Sequence, residues 1–422
     1  MGGGMQQVNR GQTVPMKLQE LSNGLRIVTQ PMPWVNSVSL CLLVRCGCVH
    51  ESAAQAGASH FLEHMVFKGT PDWSAADIAR AIDGVGGQLN AYTAKEYTCF
   101  YVTLLPDDLP LGLSILCDML QNPRLDAEEL RREQGVVLEE IAQAHDAPDD
   151  VVFEELNEGY FGPHPLGRPI LGTAKSVAKF TPELLRGLMD QRYAAGDVVV
   201  SVAGHFDAEA WDALAQQYLA PWRSGGTQAQ MPTFVSQAPT LRRAAKKGVE
   251  QAHVCLGYPG LSLGHDDAWA LLVLNNILGG GLSSRLFLDI REERGLAYSV
   301  YSYPSFFRSA GLMTLYAGCA PAQLGQVEET MRGHCRRLAE EELPEDEFAR
   351  AHRQMMGSWL LGQDSASARA QGVGRALLLR GELLSDEQVL QKMKSITKEQ
   401  VENLAKTLLT AEPHVALAGK LK

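Results

Sequence analysis

The run His60-Phe61-Leu62-Glu63-His64 carries the clearest chemistry in this sequence. On a helix, His60 and His64 stand one turn apart on one face and can chelate a single ion. Two neutral imidazoles suit zinc, and Glu63, three positions after His60, falls beside the ion rather than on the far side. A carboxylate placed there can take a proton from a zinc-activated water and hand it to a leaving amine. The order reverses the commoner His-Glu-x-x-His, with equivalent geometry. An unrelated histidine pair on a polar helix face would give the same string. A catalytic zinc also needs a third protein ligand and an open position.

The flanking pattern supplies elements able to hold such a site. Residues 18–21 and 25–28 read as a hairpin about Asn23-Gly24, and 37–45 as a further strand. Helices are expected at 58–67 and at 75–82, the second capped by Ser74. Residues 88–93 and 98–105 form a second hairpin. A long helix starts at Asp126, with Glu129 three residues later as in a capping box, and runs towards His145. Thr181-Pro182-Glu183 opens another helix, and 198–202 reads as a buried strand. The polar, Pro- and Gly-containing stretch 223–240 is the best linker. Beyond it the order recurs: strand, helices around a glycine cluster, strands, long helices, closing strand. Val202-Ala203-Gly204 is echoed by Leu417-Ala418-Gly419. The expected fold class is α+β: two duplicated α/β lobes, each a mostly antiparallel sheet packed with helices. The first spans 1–222 and the second 241–422.

Composition sets the frame. The 422 residues are 45% hydrophobic and 21% charged, so the chain is globular and long enough for two cores. A net charge of −11 argues against nucleic acid and is compatible with basic peptides. No apolar run is long enough to span a bilayer. The first residues lack a secretory h-region, and Gln6 stands where a myristoylation signal at Gly2 needs Ser or Thr. The eight cysteines fall mostly within apolar runs, as free thiols do in a reducing compartment, so cytoplasm is the expected location. Cys46, Cys48 and His50 alternate along a strand end and form a lesser metal candidate. Gly279-Gly280-Gly281 lacks the following Lys-Ser/Thr of a phosphate loop.

His60 to His64, followed by Met65-Val66-Phe67-Lys68-Gly69-Thr70, resembles the inverted-zincin superfamily of pitrilysin, insulin-degrading enzyme and mitochondrial processing peptidase. The resemblance covers nearly the whole chain. It implies a third ligand about 76 positions after the second histidine, which falls on Glu140. Glu133, seven residues back on the same helix face, matches the family's auxiliary acid and would orient the site. Glu139 is turned about 100° away, and a Glu-rich helix with no ligand role would show a similar composition. Gly86 to Thr93 looks like the family's edge strand, onto which peptide is added, making Asn90, Ala91 and Tyr92 substrate-binding candidates. Arg291 and Tyr298, seven apart, match the pair that grips substrate and polarises the scissile carbonyl, in preference to Arg285 or Arg294. Without the resemblance they read as a surface ion-pair residue and a strand aromatic.

The resemblance implies a zinc endopeptidase with one Zn²⁺ per chain. Two-lobe chains of this size pair as a clam-shell dimer around a chamber. A homodimer would suffice here, with Arg291 and Tyr298 acting in trans. Asp150 and Glu154, i and i+4 after the ligand helix, could read a basic residue beside the cut, as acidic residues do in the processing peptidases; a solvated acidic helix is the plainer explanation. The competing class is a non-catalytic or partner-dependent subunit. Such subunits lack one or more motif residues, whereas all are present here. The glycine cluster is also far shorter than the loop of the non-catalytic processing subunit.

Overall fold

The computed structural model describes residues 15–226 and 231–421, so the Gly2/Gln6 pattern lies outside the described residues. Two sheets organise the chain. The first contains β1 (Lys17–Glu20), β2 (Arg26–Pro31), β3 (Val38–Val44), β4 (Gln88–Thr93), β5 (Thr98–Leu104) and β6 (Val198–Gly204), in the order β1-β2-β6-β3-β5-β4. The second contains β7 (Leu241–Ala245), β8 (Ala252–Pro259), β9 (Ala297–Phe306), β10 (Gly311–Cys319) and β11 (His414–Gly419), in the order β7-β11-β8-β10-β9. In each sheet one pair is parallel, β2 with β6 and β7 with β11, and the remaining pairings are antiparallel. Strands β3, β6, β10 and β11 are buried at every residue, which is why they read as unbroken apolar runs rather than alternating ones.

The repeat expected from the sequence is present in the topology. Setting β1 aside, β2-β6-β3-β5-β4 and β7-β11-β8-β10-β9 are the same order in the same chain sequence. Each sheet therefore ends on the first strand of an equivalent hairpin, β4 in one and β9 in the other.

Among the described residues before the linker, α1 (Ala58–Val66), α2 (Ala75–Gly84), α3 (Leu109–Gln121), α4 (Ala127–Asp146) and α5 (Pro148–Phe161) are followed by helices at Ala174–Val177, Pro182–Arg192 and Ala208–Tyr218. Ser74 caps α2 by accepting from the Asp77 amide, and Asp126 accepts from the amides of Glu128 and Glu129 at the start of α4.

The compact units are not the contiguous halves expected on either side of a 223–240 linker. One unit takes the chain up to Leu138, from Ile170 into the linker, and Leu361–Ser385; the other takes Glu139–Pro169, Met231–Leu360 and the chain from Asp386 on. A helix from each half is exchanged. Helix α5 packs on β7, β8 and β11, burying Val151, Val152, Leu156 and Tyr160. The Tyr160 hydroxyl donates to the Gly311 carbonyl at 2.8 Å, and Arg242 of β7 pairs with Glu155 and Glu158 at 2.7 and 2.6 Å. Conversely, the Ala366–Arg380 helix covers β2, β3 and β6. It comes so close at Gly374 that a Cβ there would lie 2.4 Å from Leu43 Cδ1 and 2.9 Å from Ser201 Cβ. Sequence order could not reveal this exchange, because each helix is apolar enough to cover either sheet.

The second part of the linker stretch is also not a bare connector. Phe234 inserts among Tyr160, Phe161 and His164, and His164 Nε2 donates to the Pro232 carbonyl at 3.0 Å. All eight cysteines are buried free thiols. Among the described residues no helix is long and apolar enough to cross a membrane.

Candidate metal centre

Helix α1 is only nine residues long, too short to be stable alone, and its position comes from what it buries. Phe61, Leu62, Met65 and Val66 are fully buried, each contributing on the order of 2 kcal/mol. His60, Glu63 and His64 lie on the remaining, half-buried face. The amino end is fixed from outside the helix. Glu51, buried, accepts from the amides of Gly57 and Ser59 at 2.8 and 2.6 Å, satisfying donors that a helix start leaves open. Gly57 has φ +90°, and a Cβ would fall 2.5 Å from the Leu171 carbonyl oxygen, so only glycine fits there.

Helix α4 brings the acids. Leu130, Val137 and Ile141 form its buried apolar stripe, and Glu133 is buried within it. Glu133 and Glu140, two turns apart, share this inward side, while Glu139 is exposed. Glu133 Oε1 meets His64 Nδ1 at 2.8 Å, and its Oε2 pairs with Lys68 Nζ at 2.5 Å. Burial raises the Glu133 carboxyl, but the hydrogen bonds from Lys68 and His64 outweigh it and hold the group below the usual glutamate range. An ionised Glu133 can only accept, so His64 Nδ1 donates this hydrogen bond and Nε2 is the ring nitrogen left to face a metal.

One ligand atom from each of His60, His64 and Glu140 lies within 4.8 Å of the other two; among the described residues this is the single such group of His, Cys, Asp or Glu. Burial, and secondarily the neighbouring His64, lowers His60 to about 4, so its imidazole is neutral at neutral pH. Two imidazoles and one carboxylate form a three-protein-ligand zinc set, and this donor chemistry fits the ion. The Cys46, Cys48 and His50 candidate does not assemble. Strand β3 stops at Val44, and residues 48–50 turn into a 3₁₀ helix. The Gly47 amide donates to His50 Nδ1 at 3.2 Å, and burial pushes the Cys46 thiol up to about 12.

Residues 26–174 match the insulinase (peptidase family M16) domain, and residues 179–355 the peptidase M16 inactive domain. The chain belongs to peptidase family M16. An uncharacterized zinc protease of Streptomyces coelicolor is 40% identical over 412 residues, covering 95% of this chain and 89% of that protein. YmxG of Bacillus subtilis, also an uncharacterized zinc protease, is 40% identical over 408 residues, covering 95% and 98%. In fold, a peptidase M16 inactive domain from Pseudomonas fluorescens superposes with a TM-score of 0.90 at 20% identity, over 97% of this chain and 98% of that one. A protease from Helicobacter pylori does so at 0.87 and 19% identity, over 96% and 99%. Family and relatives support a metallopeptidase, and the M16 fold accounts for both sheets.

The remaining expected site residues fall into two groups. Among the described residues strand β4 pairs only with β5, at the end of its sheet, with its other backbone edge open. Asn90 is exposed, and its Oδ1 accepts from the Ala91 amide at 2.8 Å. Tyr92 points to the face covered by the Ala366–Arg380 helix, where its hydroxyl is 3.3 Å from that of Tyr97. Its side chain thus serves the core, leaving only its backbone for a docking peptide. Thr93, the last residue of the Gly86–Thr93 stretch and not among its substrate-binding candidates, turns to the opposite face and donates a hydrogen bond to Glu63 Oε2.

Arg291 and Tyr298 are brought together. A π-helical turn at Phe287–Glu293 stacks the Arg291 guanidinium between the Phe287 and Tyr298 rings, 4.8 Å from each centroid. Tyr298, at the start of edge strand β9, is 76% exposed. The two rejected arginines are committed elsewhere: Arg285 makes a bidentate pair with Glu347 at 2.8 and 2.6 Å, and Arg294 pairs with Asp289 at 2.5 Å. Asp150 is exposed and Glu154 half-buried on α5. Burial and the adjacent Asp149 raise the Asp150 carboxyl.

Proposed function

We propose that this chain is a zinc-dependent endopeptidase acting on extended or unfolded peptide segments. The observation that carries it is the convergence of His60, His64 and Glu140, with Glu63 on the same face of α1. His60, His64 and Glu140 would hold one zinc, whose chemistry there would be Lewis-acid polarisation of the scissile carbonyl and acidification of a water. Glu63 accepts the water proton and returns it to the departing amine, ending in its starting state as the C–N bond breaks. The open edge of β4, with Asn90, Ala91 and the Tyr92 backbone, offers hydrogen bonds to an added peptide strand. Arg291 and Tyr298 donate to the carbonyl oxygen as it gains charge.

In this proposal the working unit is a homodimer enclosing a chamber, with Arg291 and Tyr298 acting on substrate at a partner copy's Glu63. Its support is that a single chain type carries both residue sets. Asp150 and Glu154 would favour a basic residue near the cut. Eight buried thiols are consistent with action in the reducing cytoplasm.

The test is cleavage of an unstructured peptide library, with cut sites mapped by mass spectrometry. Chelator should abolish cutting and zinc restore it; cutting that persists in metal-free protein contradicts the proposal. Mixing Glu63→Gln with Arg291→Ala protein, each inactive alone, should restore activity in hybrids. Hybrids that form and stay inactive rule out the trans arrangement. Equal cleavage of peptides with and without Arg removes the basic preference.

A further inference from the structure

We infer that Thr93 is a positioning residue that ties the Glu63 carboxylate to the strand on which substrate docks. The inference rests on Glu63 being the proton acceptor. The Thr93 hydroxyl donates to Glu63 Oε2. Its other neighbour, the Thr98 hydroxyl, is 3.4 Å away and gives its own proton to the Cys46 carbonyl at 2.7 Å. The Thr93 proton therefore goes to the carboxylate, the nearer and charged acceptor.

Both ends of this contact sit on fixed backbone. Thr93 pairs with Thr98 at the end of the β4–β5 ladder, and its β-branched side chain has few rotamers available. Helix α1 is held by its buried apolar face and by Glu51 at its amino end. Between them the Glu63 side chain has three rotatable bonds, and the Thr93 hydrogen bond restrains the last of these. The carboxylate is thereby aimed before substrate arrives, which is the condition under which positioning lowers a barrier. The restraint comes from the same edge strand that would pair with a peptide, so docking on β4 and alignment of Glu63 are mechanically linked.

The test compares Thr93→Val, which keeps shape and β-propensity, with Thr93→Ser, which keeps the hydroxyl, and with Glu63→Gln as reference. For each full-length protein, kcat and KM on an unstructured peptide, zinc content and melting temperature are measured. Thr93→Val should lose about tenfold to a hundredfold in kcat, the range for a hydrogen bond to a charged group, with KM within about twofold. Zinc content and melting should match wild type, and Thr93→Ser should recover most of the rate. A wild-type kcat in Thr93→Val alongside an inactive Glu63→Gln overturns the inference and leaves the peptidase proposal standing. A rise in KM at constant kcat assigns Thr93 to substrate contact and also overturns it, as does loss of zinc or early melting in Thr93→Val. Wild-type activity in Glu63→Gln removes the premise itself.

Discussion

Replacing Glu133 with Gln probes how the metal centre is held, and its size can be worked from the contacts. Glu133 touches none of the donor atoms assigned to the ion; it accepts from His64 Nδ1 at 2.8 Å and pairs with Lys68 at 2.5 Å. Gln keeps the volume and can still accept one hydrogen bond, but it cannot carry the charge that makes both contacts strong. Lys68 is 32% exposed on its side chain and can turn to water, so its loss of partner costs little. Most of the effect should therefore report on His64, whose ring orientation and tautomer Glu133 fixes. Loss of such an outer partner weakens metal binding about 10- to 100-fold, or about 1.4–2.8 kcal/mol. Competition with a chromogenic chelator at fixed pH measures it directly. Lys68→Met should weaken binding less than tenfold, because the His64 contact survives. An affinity of Glu133→Gln within twofold of wild type would refute the orienting role.

Two further substitutions test the scaffold and the second half-site. Gly374→Ala should destabilise the protein by about 1–3 kcal/mol through the clash with Leu43 and Ser201, whereas Gly372→Ala on the same helix, with nothing within 4 Å of its Cβ, should stabilise by up to about 1 kcal/mol; equal melting temperatures would contradict the packing of this helix on the first sheet. Tyr298→Phe keeps the ring against Arg291 but removes the hydroxyl, so melting should be unchanged while kcat falls about tenfold or more; an unchanged kcat removes the hydroxyl from carbonyl stabilisation.

The parts of this molecule legible in the sequence are those encoded locally. The i, i+4 spacing of His60 and His64 put them on one helix face, and the seven-residue interval between Glu133 and Glu140 put both acids on the inner side of α4. Capping signals at Ser74 and Asp126 marked helix starts to within a residue. Resemblance to a family, not local pattern, singled out Glu140, Arg291 and Tyr298. Long-range facts were illegible. The exchange of α5 and the Ala366–Arg380 helix depends on which apolar face meets which sheet, and neither face differs in kind from the other. Thr93 lay one residue beyond the strand positions singled out. Only the period-two alternation of β4, anchored by Tyr92 turning to the Ala366–Arg380 side, sends Thr93 towards Glu63. That alternation was available in the sequence; knowledge of which face held α1 was not. The Lys68–Glu133 pair likewise needed α1 and α4 side by side.

The central claim is that one carboxylate on α1 moves the proton at a zinc site built by His60, His64 and Glu140. The most direct measurement is the peptide-cleavage rate and zinc stoichiometry of Glu63→Gln protein, taken together on the same preparation. The expected result is about one zinc per chain, as in wild type, and cleavage reduced by at least a hundredfold, the lower range for loss of a general acid–base. Zinc retained with cleavage at the wild-type rate would contradict it.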